Sequence, residues 1–240
     1  MDEKKFNKAF NIFILAGMAV AVIIATALKA GAVQTGRMLL FVSAFGSLMG
    51  VMCSVCSANG IVLTFLFGIF DVTIYAVVCF ISGKYGNALL HALYFLPMQF
   101  IGWHQWNKRG TDTNDKVKAR RLSLKQGVLY AVVFLLGSVA AYFILAHFDR
   151  SAADSFIRVA VLMDALSMMC NIIGQYLLSA AYMEQWFFWI GVNVFSVIMW
   201  SVSLKNDGGG YAVIYLIKYS FYLLNSLNGL RIWMKLSKGQ

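Results

Sequence analysis

The chain has 240 residues, 60% of them hydrophobic and only 12% charged, with a formal net charge of +10 and a mean hydropathy of +0.72. Soluble domains run near about 45–50% apolar and about 25% charged, so these few charges cannot cover a water-facing surface. Composition excludes an ordinary soluble domain, and basic residues gathered at segment ends instead of on one face exclude a nucleic-acid platform. A bilayer core of about 30 Å needs roughly 20 apolar residues per helix. Eight segments meet that length: about 9–29, 37–56, 60–80, 87–106, 125–147, 156–182, 186–204 and 211–234. The opening MDEKKFNKAF has no small-residue cleavage site after a short apolar core, so the first segment reads as a retained helix. Very short connections near Ser57–Asn59 and Met183–Gln185 allow only antiparallel neighbours. Cys53, Cys56, Cys79 and Cys170 all fall in apolar runs. The C-x-x-C of Cys53 and Cys56 lacks a second ligand pair, so these are small buried helix residues.

Orientation follows from the Lys and Arg outside the spans. With the N-terminus inside, the cytoplasmic set is Lys4, Lys5 and Lys8, the seven basic residues from Lys108 to Lys125, and Arg231, Lys235 and Lys238. The outside set is Lys29, Arg37, Lys84, Arg150, Arg158 and Lys205. Thirteen against six predicts both termini in the cytoplasm. The Lys108–Lys125 loop also suits contact with anionic lipid.

The fourth segment ends in YFLPMQFIGWHQWNK, which holds the only proline, Pro97. A mid-span proline removes a backbone donor and bends the helix, as a gate or as a fixed kink. Trp103 and Trp106 stand where an aromatic belt would form, or belong to a gate. The end of the eighth segment repeats the pattern: GWHQWNK and GLRIWMK both read G-x-x-x-W-x-K. That is the signature of a parallel repeat of two three-helix units joined by a linking helix, with a solute site near the midplane between them. The predicted fold is therefore an all-α integral membrane protein of eight transmembrane helices. A seven-helix 3+1+3 core follows an extra N-terminal helix. The expected divisions are 1–36, 37–107, 108–155 and 156–240.

Polar residues inside the last three segments recur at helical spacing. Asp164, Ser167, Asn171, Gln175 and Tyr182 form one stripe, and Trp186, Trp189, Asn193, Ser196 and Trp200 a second. Tyr211, Tyr215, Lys218, Tyr222, Asn225 and Gly229 form a third. Each lies along one helix face and must turn from lipid. Interhelical packing is one reading of such stripes. Three of them, with Gln99 and Asp71, point instead to a solute site. The candidate substrate contacts are Gln99, Trp186, Trp189, Asn193, Gln175, Asn225, Tyr215 and Asp71. Pro97, Trp103, Asp164 and Lys218 are gating or structural candidates. Counting roughly 1.5 Å per residue puts Asp164 about 12 Å and Lys218 about 10 Å from the same surface, which predicts an ion pair. Asp71 could pair with Lys218 instead, or face a cationic solute.

These segments resemble the PnuC family of bacterial vitamin transporters. The likeness runs from about residue 37 onward. It is carried by the Q-x-x-G-W-x-x-W of Gln99, Gly102, Trp103 and Trp106, the W-x-x-W-x-x-x-N of Trp186, Trp189 and Asn193, and the closing Asn225–Trp233 segment. The resemblance implies a 3+1+3 fold similar to the SWEET sugar transporters, often a homotrimer, in the bacterial cytoplasmic membrane. It further implies facilitated diffusion of nicotinamide riboside, trapped by a cytoplasmic ribosylnicotinamide kinase. Indoles suit the cationic pyridinium ring, and amides suit the carboxamide and ribose hydroxyls. Thiamine, another aromatic cation, remains open for this family. An enzyme is disfavoured because His91, His104 and His147 lie far apart and no H-x-x-x-H or G-x-S-x-G occurs. The absence of a phosphate-binding G-x-x-x-x-G-K-[ST] disfavours ATP-driven pumping. No cofactor, metal or nucleic acid is expected, and a purely structural membrane protein is the last alternative.

Overall fold

The computed structural model describes residues 2–32, 37–81, 85–111, 115–148, 155–205 and 210–238. The chain forms two compact units, Met1–Lys118 and Ala119–Gln240. The first contains α1 (Glu3–Ala32), α2 (Arg37–Ala58), α3 (Leu63–Ile81), α4 (Tyr85–Leu90), a π-helical turn His91–Phe95, and α5 (Leu96–Arg109). The second contains α6 (Leu124–Phe148), α7 (Ser155–Ser179), α8 (Gln185–Lys205) and α9 (Gly210–Leu236). Among the described residues, six helices, α1 to α3 and α6 to α8, are long and apolar enough to cross a membrane. Lipid can offer no hydrogen bonds to a backbone, and helices satisfy their own.

Within the first unit α2 packs on α1 and α3, and α3 on α4 and α5. The turn after α2 is set by Asn59-Gly60. Gly60 adopts φ +68, its N–H reaches Ser57 O at 3.0 Å, and the Ile61 N–H reaches Cys56 O at 2.9 Å. This paired closure needs a left-handed residue at its centre, which glycine supplies without strain. The basic loop settles on that turn through Val117, whose N–H donates to Gly60 O at 2.9 Å.

Within the second unit α7 packs on α6 and α8, and α8 on α9. The turn after α7 has the same closure: Ala181 N–H to Leu178 O and Tyr182 N–H to Leu177 O, both 2.9 Å. Here an alanine takes the left-handed place, at φ +59. The predicted sixth span, 156–182, is therefore too long: α7 stops at Ser179, and Tyr182 belongs to the turn. Gln185, expected in the turn, opens α8. Arg120 lies on this corner, its N–H donating to Ala181 O at 2.7 Å and its O accepting from Met183 N–H at 2.9 Å. Its guanidinium stands 4.4 Å over the Tyr182 ring.

The two G-x-x-x-W segments do the same work in their own units. A methyl group on Gly102 would strike the Phe65 ring. Trp106, one turn later, meets that ring edge-on at 4.8 Å and 85°. A methyl group on Gly229 would lie 2.5 Å from the Trp186 ring, and Trp233 meets Trp186 at 6.3 Å and 60°. Trp106 is 1% exposed and Trp233 fully buried. The belt reading of Trp106 is thus corrected. Gly102 opens a slot that draws Phe65 inward, and the indole closes the slot as core. Trp103 is half-buried.

The proline appears as a change of helix type. Leu96 N–H donates to His91 O, a π-helical bond, and Pro97 occupies the first turn of α5. One extra residue is inserted just ahead of the missing donor, which spares Pro97 the place of an interior helix breaker.

Because added methyl groups at Gly102 and Gly229 meet aromatic rings, Gly102→Ala and Gly229→Ala should each destabilise by about 1–3 kcal/mol. Gly127 in α6 has open space around it, so Gly127→Ala should be neutral or stabilising by about 0.5–1 kcal/mol. Thermal midpoints in one detergent check both; equal effects at all three positions would contradict the slot geometry.

Candidate functional site

In the first unit a polar strip runs between α2, α3 and α5. Gln99, from the second turn of α5, lays its carboxamide oxygen on Gly68 of α3, where any side chain would collide with it. Cys53 Sγ borders the same spot, 3.4 Å from where a Gly68 Cβ would sit. Thr64 Oγ1 pins this part of α2 by donating to Cys53 O at 2.9 Å. One turn along, half-buried Asp71 approaches Gly50, where an added Cβ would lie 2.9 Å from Oδ1. Glycines thus let two polar side chains lie against helix backbones. Gln99 is 3% exposed, yet among the described residues its Oε1 accepts no hydrogen bond. A buried polar atom left in this state costs about 1–3 kcal/mol unless a partner arrives.

In the second unit Trp189 takes the register that Gly68 holds in the first, and Gly174 the register of Cys53. The Trp189 ring fills the resulting space, 3.3 Å from a Gly174 Cβ position. Its Nε1 donates to Gln185 Oε1 at 3.4 Å. Asn193 crosses from α8 to α9, its Nδ2 donating to Ser226 Oγ at 2.9 Å. Asn225 beside it is fully buried. Gln185 Nε2 and Trp186 Nε1 are buried donors that make no hydrogen bond among the described residues.

The stripes resolve unevenly. Gln175 folds back on its own helix, Nε2 donating to Ser179 Oγ at 3.4 Å, while Ser179 Oγ donates to Gln175 O at 3.0 Å. Asn171 likewise bonds Ser167 O at 2.9 Å. The α7 stripe is mostly self-satisfied, whereas α8 and α9 bond across. The predicted Asp164–Lys218 pair does not form. Asp164 is exposed on α7, and Lys218 Nζ lies 5.5 Å from the Tyr222 ring centroid and 5.8 Å from that of Tyr219. Matching depth did not mean matching azimuth. The side chain of Tyr215 lies outside the described residues. Pro97 is exposed and reaches the strip only through its neighbour Gln99.

Sequence reasoning took Cys53 only as a small buried helix residue, and passed over Gly68, Gln185 and Ser226. The last two had a signal: Gln185 precedes Trp189 by one helical turn, and Ser226 adjoins Asn225. Gly68 had none, because its partner Gln99 comes from a distant helix.

Residues 40–235 match the sequence profile of the family described as nicotinamide mononucleotide transporter. A relative from Neisseria mucosa, the nicotinamide riboside transporter PnuC, is 30% identical over 203 residues, covering 82% of this chain and 73% of its own. The Haemophilus influenzae nicotinamide riboside transporter PnuC is 30% identical over 191 residues, covering 79% and 77%. The crystal structure of the vitamin B3 transporter PnuC superimposes with a TM-score of 0.69 at 26% identity, over 98% of this chain and 92% of that one. With its aromatic-glycine corners and buried amides, the chain belongs to the PnuC family of membrane transporters.

Proposed function

We propose that this chain carries nicotinamide riboside across the bacterial cytoplasmic membrane by facilitated diffusion. The observation that carries the reading is Gln99: a buried side chain whose carboxamide oxygen lies against Gly68 and lacks a hydrogen bond among the described residues. The relatives named above support the choice of solute.

The positions support a site at mid-depth. Gln99 precedes the basic end of α5 at Arg109 by ten residues, and Asn225 precedes Lys235 of α9 by the same interval. At 1.5 Å per residue each lies roughly 15 Å from its basic end, about half a bilayer core. Nicotinamide riboside combines a cationic aromatic ring with a carboxamide and ribose hydroxyls. Indole faces of Trp186 and Trp189 attract the ring; Gln99, Asn193, Asn225 and Gln185 exchange hydrogen bonds with the polar groups. Asp71 offers a carboxylate close to the strip, and a carboxylate in a membrane favours a cationic solute.

In this proposal the chain crosses eight times, with α4, the π-helical turn and α5 forming one interrupted crossing and α9 the last. The arrangement is 3+1+3 after α1, α6 is the linker, and both termini are cytoplasmic by the basic-residue count. The recurrence of the left-handed turn and of the glycine–tryptophan corner in each unit supports the repeat. Pro97 and the π-helical turn serve as the hinge, and Trp103 as a gate. The assembly is a homotrimer, with a cytoplasmic kinase trapping the product.

Calorimetric titration of the purified protein should show micromolar or tighter binding of nicotinamide riboside and none of thiamine. Asn193→Ala should weaken that affinity by about tenfold or more, the loss of one well-made hydrogen bond. Thiamine binding alone would overturn the substrate and keep the site. In proteoliposomes without an ion gradient, preloaded nicotinamide riboside should drive counterflow of labelled solute at full rate. A strict requirement for a proton or sodium gradient would refute facilitated diffusion.

A further inference from the structure

The last turns of α9 carry a second surface, separate from the polar strips. Leu227, Leu230, Arg231, Met234, Lys235 and Lys238 line an open groove of about 280 Å³. Their spacing places them on one helix face, and the face is graded along the axis. Leu227 and Met234, 49% and 41% exposed, form its apolar length; Lys235 and Lys238 are exposed at its end. Arg231 stands between the two, held by its Nε and Nη2 donating to Asn228 Oδ1 at 3.2 and 2.8 Å. Asn228 is itself buried. Ser237 fastens the tip, accepting from Arg121 Nε at 3.0 Å while its own N–H donates to Trp233 O at 3.0 Å. Among the described residues no acidic side chain lines the groove.

We propose that this groove is a binding site for an anionic phospholipid. The phosphate is held by Arg231, Lys235 and Lys238, and an acyl chain lies along Leu227, Leu230 and Met234. The match is one of order as well as charge. From Leu227 to Lys235 the helix rises roughly 12 Å, and with Lys238 in the turn beyond it the face passes from aliphatic to cationic as a phospholipid passes from chain to headgroup. Each basic side chain near an anionic leaflet contributes about 1 kcal/mol. An apolar protein surface seated here would bring no anion to these basic side chains. A second copy of a chain with formal charge +10 brings more positive charge, not less.

The test uses the delipidated full-length protein in neutral detergent, titrated with short-chain phosphatidylglycerol, phosphatidylcholine of equal chain length, or inorganic phosphate. Thermal midpoint and lipid retention in native mass spectrometry are read together. Phosphatidylglycerol alone should raise the midpoint and be retained. R231Q/K235Q/K238Q should weaken that binding by on the order of tenfold or more, with nicotinamide riboside affinity and subunit number unchanged. The milder K235Q/K238Q, confined to two exposed lysines, should show the same trend with a smaller loss. Equal binding of the two lipids, an equal shift from phosphate alone, or unchanged phosphatidylglycerol affinity in both variants would overturn the proposal. A changed subunit number in the variants would assign the face to a second copy of the chain and overturn it equally.

Discussion

A polar group moved from water into a membrane must find its partner inside the protein or in what the protein carries, and this constraint organises the whole chain. It makes the described secondary structure almost entirely helical, since helices alone satisfy their own backbone here. It turns amides and hydroxyls inward as stripes and explains why glycines line their path. Where a helix lets a side chain approach its backbone, a carboxamide can be enclosed without a complementary donor. Gln99 on Gly68 is that case. Most polar residues of α7 answer the constraint locally, by bonding to their own helix. Asn193 of α8 answers it by reaching across to Ser226 of α9. In the function we propose, the atoms that answer it in neither way are the ones a polar solute completes.

The two units share a frame and differ in what they hang on it. Each has a helix pair closed by a left-handed residue, Gly60 or Ala181. Each also has a buried tryptophan packed edge-on against an aromatic ring that a glycine admits, Phe65 over Gly102 or Trp186 over Gly229. The frame therefore tolerates variation around it. In the first unit the positions facing Gln99 are small, Gly68 and Cys53. At the matching register in the second unit the bulk is reversed, with Trp189 lying on Gly174. The first unit thus carries a buried carboxamide among small residues, and the second an indole packed on a glycine.

Periodicity made much of this readable from sequence. Polar residues at steps of three and four can be assigned to helix faces without coordinates, and Asn59-Gly60 announces its turn. The turn after α7 gives no such notice, because alanine stands where glycine would mark the left-handed residue; the span was therefore read past Ser179 to Tyr182. Trp106 was drawn toward a belt because tryptophans near membrane surfaces usually are, and its partner Phe65 is a distant residue that no local pattern links to it. Asp164 and Lys218 share a depth, which counting residues yields. Whether two helices turn those residues toward each other depends on rotation, which counting does not yield. The resemblance to PnuC transporters rested on short motifs, and those motifs proved to be the corners and crossings of the fold.

In the proposed function Gln99 is enclosed for a solute and not as interhelical glue. The direct measurement is nicotinamide riboside affinity and thermal stability on one variant, Gln99→Leu, which keeps the volume and removes the amide. Replacing an unsatisfied buried polar group with an apolar one of similar shape is near neutral or stabilising. The account predicts a thermal midpoint that is unchanged or higher, together with loss of nicotinamide riboside binding by about tenfold or more. Unaltered binding with a lowered midpoint would show that the carboxamide serves packing, and would contradict the account.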